Sequence, residues 1–442
     1  MGQLLQSLGA GTGSRLFVHC ATSIDYLAEL SELNPGVERY AERALLLADR
    51  NDLVCVPEEV EPDYLEFLEH LGLGPAPANL IVTSRFQSGS GPLWERLLDS
   101  EEALAFLEGR MQLQRTAQLH PFFSTAGQFE LGRALSERTG RLIQMIGGDP
   151  DLVAYADSKE HIRAKALELG VPVARGEVVE LGPGERPRER DLAVLRSALE
   201  RQSRHTGRVI VRGTLGAAGS ATFIYGGAGD LAALEARLAG GRSNRTYLVE
   251  AMVDPVISPN VQIYISPDGS TECVGITDQL LDRELTHRGN AYPTGARCTG
   301  NMVRWACRIG EWLGDMGYTG IAGFDFVEYL APDGNPRAFL AELNPRVNSA
   351  TYPLAVRERI GPAAAFVAGT IQTGVGTFAE LRERMPQLLY SPERKSGILP
   401  YMTGCLSFGS CGIIALAPSR AEAAELFGEA ELSLGASLAG IA

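Results

Sequence analysis

The residues best suited to chemistry lie in GFDFVEYLAPDGNPRAFLAELNPR (323–346). Asp333-Gly334 is a strong hairpin signal, because glycine supplies the positive φ that a tight turn needs. A hairpin folded symmetrically about that pair sets Asp325 directly opposite Glu342. Strand alternation then puts Asn344 on the same face as Glu342. Opposed carboxylates repel unless a cation compensates them. Two carboxylates and an amide oxygen form a hard donor set that suits Mg²⁺, an ion that also keeps places for phosphate oxygens. Arg346, close by, can hold an anion. The competing possibility is a solvated acidic strand face. Phe324, Phe326, Leu340 and Leu343 speak against it, since they make the hairpin look buried.

A second constellation is VIVRGTLGAAGSATFIY (209–225). A strand ends at Arg212, and Gly213, Gly216 and Gly219 let the backbone turn sharply and gather amide groups at one spot before Ser220. Such a loop can fold over triphosphate oxygens, although taken alone it is equally a long glycine-rich hairpin loop. The third is Lys159, near the start of a helix that Asp157 and Glu160 would close as a capping box and that stops at Gly170, ahead of Pro172. Alone it is a solvated surface lysine. Yet Lys159, Lys165 and Lys395 are the only lysines among 40 basic residues, so a lysine at a motif position is less a matter of chance.

These groups need elements to position them. RLFVHC (15–20), LVCV (53–56) and NLIVTS (79–84) are apolar runs of strand length, separated by helical patterns such as PDYLEFLEHLG (62–72). This alternation predicts an α/β layer with a parallel sheet over residues 1–150. The glycines of GAGTG (9–13) precede a strand, whereas a dinucleotide fingerprint needs them after one. A charged connection and helix fill 181–207. A β-rich stretch follows, with strands at 208–212, 220–225, 246–253, 260–266 and 271–277. A helix spans 300–317, the strand pair 321–344, and a smaller α/β tail runs from 376. The expected domains are therefore 1–150, 151–207, 208–375 and 376–442.

Composition narrows the classes. Hydrophobic residues make up 45% of the 442, charged residues 21%, and the net charge is −14. That is an ordinary globular balance, and its sign argues against a general nucleic-acid binder, which needs a basic surface. No apolar run reaches membrane-spanning length, and the N-terminus lacks a signal-peptide pattern. The seven cysteines include no CxxC pair, and the six histidines no zinc spacing. These features lead us to expect a cytoplasmic protein with free thiols and no membrane partner.

Taken together and in this order, with LVEAMV (248–253) between them, the three constellations resemble the ATP-grasp superfamily over about residues 150–375. The resemblance implies an α/β (α+β) ATP-grasp fold behind a Rossmann-like N-terminal pre-ATP-grasp domain, with a small C-terminal α/β domain. It implies that Lys159 and Arg212 contact ATP, Arg212 standing where a second lysine is usual. Gly213, Gly216, Gly219 and Ser220 would cover the phosphates. Glu250, Ala251 and Val253 would line the adenine as a hinge, largely by backbone, and Asn260 would take the ribose-contact position, where Glu or His is more usual. Gln279 would face the active site. Asp325, Glu342 and Asn344 would hold two magnesium ions, and Arg346 would steady the transferred phosphate or the substrate carboxylate.

The segments SPNVQIYI (258–265), TDQLL, Gly-x-x-Tyr-Pro (289–293) and SFGSCGIIALAPSRAEAAELF look more narrowly like the pheganomycin-type peptide ligases of natural-product pathways. That likeness implies an ADP-forming ligase that joins an unusual amino acid to the amino end of a peptide through an acyl phosphate. Rival readings are a ligase for two free amino acids or another acid–amine pair, and a nucleotide-binding sensor or scaffold without turnover. The partners this likeness implies are a carboxylate and an amine or peptide, with a second copy of the chain as an open alternative.

Overall fold

The computed structural model describes residues 3–9, 13–23, 35–86, 91–182, 188–215, 222–240, 245–362 and 364–435. The expected N-terminal strands form as β1 (Arg15–Val18), β2 (Leu53–Val56) and β3 (Leu80–Val82), joined by β4 (Gln118–Pro121) and β5 (Gln144–Met145), which no continuous apolar run announces. All pairings are parallel and the order is β3-β2-β1-β4-β5. This is a doubly wound sheet whose order reverses between β1 and β4.

A second, antiparallel sheet comprises β6 (Gly176–Glu180), β7 (Val209–Gly213), β8 (Thr222–Tyr225) and β9 (Thr246–Ala251), in the order β6-β9-β7-β8. Val209, Val211 and Val249 pack on the Glu189–Thr206 helix through Leu195 and Leu199. Alternation along these strands turns Arg212, Leu248 and Glu250 to the opposite face.

The third sheet is the largest. It contains β10 (Pro255–Ile257), β11 (Pro259–Ile265), β12 (Thr271–Leu281), β13 (His287–Tyr292), β14 (Gly320–Leu330), β15 (Pro336–Asn344), β16 (Ala365–Gln372), β17 (Gly397–Tyr401) and β18 (Ser410–Ala417). Its order runs β15-β14-β11-β12-β13-β16-β18-β17, with β10 beside the far end of β14. One face is apolar. Val261, Ile263, Ile265, Phe324 and Phe326 meet Met302, Ala306, Ile309 and Leu313 of the amphipathic Thr299–Asp315 helix. Residues one position out of phase, Asn260, Gln262 and Asp325, therefore line the other face, which is polar around them and apolar farther along, at Ile321, Ala368 and Phe366.

β17 and β18 join this same sheet, and Leu45, Val54 and Tyr64 of the N-terminal domain share a core with Phe366, Ile398 and Ile413. One expectation needs correction: the expected capping box is absent. Asp157 ends one helix (Pro150–Asp157), and a new one (Lys159–Glu168) begins after Ser158, which makes no side-chain cap. The Asp157 carboxylate is held by Arg346 instead. The helix does stop where expected: Gly170 adopts φ 69° and the Val171 amide donates to Ala166 O, a left-handed glycine closure.

Candidate active site

The β14–β15 hairpin places Asp325 opposite Glu342 and Gly323 opposite Asn344. It does so by a route that simple symmetry does not supply. Near the turn, Phe326 pairs with Leu340 and Val327 with Phe339, one residue out of the symmetric register. Ala341 is the extra residue, a β-bulge that restores the register before Glu342. The bulge explains why Leu340 and Leu343, of opposite parity, both enter the apolar core while Glu342 and Asn344 stay with Asp325. Glu342 thus reaches the polar face because of one inserted alanine.

Asp325 is enclosed by donors. Asn260 Nδ2 donates to Oδ1 at 2.6 Å and Asn344 Nδ2 to Oδ2 at 3.0 Å. Burial and the facing Glu342 carboxylate still push its pKa up to about 7. Lys159 Nζ lies 3.0 Å from Glu342 Oε1, its side chain only 8% exposed. Arg346, adjacent in the same strand exit, pairs with Asp157 and lies 5.5 Å over the Phe123 ring. Lys159, Asp325, Glu342, Asn344 and Arg346 are therefore brought together.

Asn260 sits opposite Asp325 across β11 and β14, so its amide steadies a carboxylate in this structure. Behind it, the fully buried Gln262 donates to Asn260 Oδ1 and Asn348 Oδ1 and accepts from Thr351. Thr277 is opposite Asn260 on the next strand, so Gln279, two residues along, shares the polar face. Gly216, Gly219 and Ser220 lie outside the described residues; Gly213 ends β7 and Thr222 begins β8 at the loop's two feet.

The second sheet faces this site across a small cleft lined by Lys159, Arg163, Arg212, Leu248, Glu250 and Ala341. Glu250 is nearly buried and takes two arginines. Arg212 Nε and Nη2 donate to Oε2 at 3.0 and 2.6 Å, and Arg163 Nη1 donates to Oε1 at 3.2 Å. Arg212 Nη1 also reaches the Ala341 carbonyl at 3.0 Å, the group exposed by the bulge. Arg212 thus ties the second sheet to the hairpin. Ala251 ends β9 with its amide donating to the Arg175 carbonyl, the Met252 amide donates to the Arg208 carbonyl, and Val253 follows. The sequence reading missed Arg163 and Asp157. Arg163 was findable, since it lies four residues from Lys159 and so on the same helix face.

Three sheets in this arrangement, with the polar face of the largest turned to the cleft, define the pre-ATP-grasp plus ATP-grasp fold. A pre-ATP-grasp domain family model matches residues 41–136. The chain superposes on the ADP complex of an N5-carboxyaminoimidazole ribonucleotide synthetase with a TM-score of 0.56 at 13% identity, covering 95% of this chain and 96% of that one. The Thermus thermophilus synthetase of the same name gives 0.54 at 12%, covering 96% and 99%. The biotin carboxylase domain of Hydrogenobacter thermophilus 2-oxoglutarate carboxylase, complexed with MgADP and bicarbonate, gives 0.52 at 12%, covering 95% and 89%. No curated protein matches the sequence. Among the described residues, no helix is long and apolar enough to cross a membrane.

Proposed function

We propose that the protein is an ATP-dependent carboxylate–amine ligase that forms an amide through an acyl phosphate and releases ADP and phosphate. The observation that carries this reading is the Asp325–Glu342 pair, opposed on adjacent strands with Asn344, Lys159 and Arg346 around it. Burial first, and the opposed Glu342 carboxylate second, disfavour the charged form of Asp325, a cost that a divalent cation held by these oxygens would offset. Asp325, Glu342 and Asn344 would hold magnesium, two ions on the family's pattern, and bound there it supplies positive charge against which phosphoryl transfer proceeds. The nucleotide-bound states of the structural neighbours support a nucleotide in the same cleft here.

The chain's own residues do the rest. Lys159 presents an ammonium beside Glu342, where a terminal phosphate can replace that partner. Arg212, Arg163 and Glu250 firm the floor of the cleft. The loop between β7 and β8 covers the phosphates, and the segment from Glu250 to Val253, with Asn260 and Gln279, borders the nucleoside. Arg346, oriented by Asp157, steadies the carboxylate as it approaches the γ-phosphate in line. No side-chain nucleophile is required, because the substrate carboxylate itself attacks.

The finer reading is a peptide ligase of natural-product biosynthesis, joining an unusual amino acid to the amino end of a peptide in the cytoplasm. The four sequence segments that resemble the pheganomycin-type ligases support it. The test is mass spectrometry of products after incubation with ATP, magnesium and a panel of amino acids and short peptides, with nucleotide products followed in parallel. The expected result is one ADP and one phosphate per amide. Hydroxylamine should trap a hydroxamate without any amine present. Stoichiometric AMP and pyrophosphate would overturn the mechanism, and nucleotide binding without any turnover would reduce the protein to a sensor.

A further inference from the structure

The β12–β13 hairpin carries a bulge of its own. Gln279 pairs with Asn290 and Leu280 with Gly289, but Leu281 pairs with His287. Arg288 is the extra residue, so His287 and Asn290, of opposite parity, share the face of Gln279. That face is the polar one, because Gln279 lies two residues from Thr277, the partner of Asn260. A histidine thereby stands on the face that holds the carboxylates.

The chain leaving β15 meets it there. Ser349 lies three residues past Arg346, which keeps their Cα atoms within about 11 Å of each other. Gln262 Nε2 donates to Asn348 Oδ1 at 3.0 Å and ties this segment to the same face. The Ala350 amide donates to that oxygen at 3.0 Å and turns the chain about Ser349. Asn290 Nδ2 donates to Ser349 Oγ at 3.0 Å, and Oγ lies 3.3 Å from His287 Nε2. With Oγ accepting from the amide, its own proton has Nε2 as acceptor in the tautomer that leaves that nitrogen bare. Ser349 and His287 are both half-buried, so a ligand can reach the hydroxyl and solvent can reach the ring. Burial lowers the His287 pKa against an opposing hydrogen bond to Asn290, so the ring is neutral near neutral pH. The charged side chains around it are engaged: Arg288 with Asp282 at 2.7 Å, Arg357 with the Ala364 carbonyl at 2.7 Å and the Tyr292 ring at 4.2 Å, and Arg346 with Asp157.

We propose that His287, through Ser349, accepts the proton that the amine substrate sheds as it attacks the acyl phosphate. This rests on the ligase reading and fills a role that the nucleotide and metal groups do not. The ammonium N–H bond breaks toward Ser349 Oγ, whose own proton passes to His287 Nε2. The freed lone pair forms the C–N bond, the acyl C–O bond breaks, and phosphate leaves with that electron pair. The departing phosphate takes the second nitrogen proton, and the imidazolium returns the first to solvent.

The test compares two nucleophiles on the full chain with ATP, magnesium and the panel of amino acids as acids. Hydroxylamine is largely unprotonated near neutral pH and needs no proton acceptor, whereas the α-ammonium of a dipeptide is largely protonated there and does. His287→Gln keeps a hydrogen-bonding side chain without a basic nitrogen. It should lower amide formation with dipeptides about 100-fold and leave hydroxamate formation within about twofold of the unaltered chain. Raising the pH to about 9, above the dipeptide's own pKa, should close most of that gap, because the amine then arrives neutral. Ser349→Ala should show the same pattern and serves if His287→Gln does not fold. Equal losses with both nucleophiles would assign the pair to structure and overturn the proposal, as would undiminished amide formation or a gap that pH leaves unchanged. No hydroxamate from the unaltered chain with any acid would overturn the ligase reading and this one with it. A normal hydroxamate yield without the selective loss counts against this proposal alone.

Discussion

Asp325 and Glu342 face each other with an amide on each Asp325 oxygen and Lys159 on Glu342, so the hairpin holds its charges at close quarters. Glu342→Gln keeps size and shape but removes a carboxylate. It should lower kcat on the order of 100-fold, the scale of losing one preorganised charged group, with the circular-dichroism spectrum unchanged. Near-normal turnover at low magnesium would sink the assignment. Glu250 poses a different question, because two arginines converge on it in a buried place. Glu250→Ala strands both charges and should destabilise the fold by about 3–5 kcal/mol, read as a lower denaturation midpoint. Arg212→Ala leaves Arg163 on Glu250 but cuts the tie to Ala341. It should raise the KM for ATP, while Arg212→Lys retains measurable activity. Equal nucleotide affinity in Arg212→Ala and the unaltered chain would show that this side chain serves the fold only.

At the scale of elements, the bulge at Ala341 does two things. It turns Glu342 onto the polar face, and it presents a carbonyl that would otherwise belong to the ladder to Arg212. Deleting Ala341 regularises the hairpin: Phe326 still meets Leu340, and Asp325 still meets Glu342. The carboxylate pair should survive while the anchor of the second sheet is lost. The expected outcome is a raised KM for ATP with kcat largely kept at saturating nucleotide. A collapse of kcat with unchanged KM would mean that the bulge acts on the carboxylates directly.

For the whole molecule, the buried histidines at the junction of the N-terminal domain and the central sheet set an acid limit. The His19 pKa is lowered by burial first and Arg43 second, to about 3, and that of His120 well below its usual value by burial, Arg15 and His19. Both are neutral when folded and take up protons when unfolded below about pH 6.5. The unfolded chain therefore binds more protons, and stability falls as pH drops from about 6.5 toward 3. The loss should reach a few kcal/mol, and His19→Gln should flatten the curve of midpoint against pH in that window. An unchanged slope in the variant would assign the acid sensitivity elsewhere.

Much of this was written locally. Apolar runs of strand length gave β1, β2 and β3, since a short buried strand needs little beyond continuous hydrophobicity. The turn at Asp333-Gly334 and strand alternation placed Asp325, Glu342 and Asn344 on one face, because both are nearest-neighbour properties. The parity clash between Leu340 and Leu343 even carried the signal of the bulge. Other features depend on residues far apart in the chain. Asp157 satisfies the rules for a helix cap, yet it pairs with Arg346, 189 positions away, because a buried guanidinium binds a carboxylate more strongly than a backbone amide does. The roles of Arg163 and Arg212 follow from Glu250 lying between them, and β17 and β18 join the central sheet because a strand edge accepts any chain segment that brings matching hydrogen bonds. His287 meets Ser349, 62 positions away, only where β13 and the chain leaving β15 come together. Sequence determined which groups could do chemistry and in which elements they lie; tertiary structure chose their partners, since burial rewards whichever charge or donor the fold brings within reach.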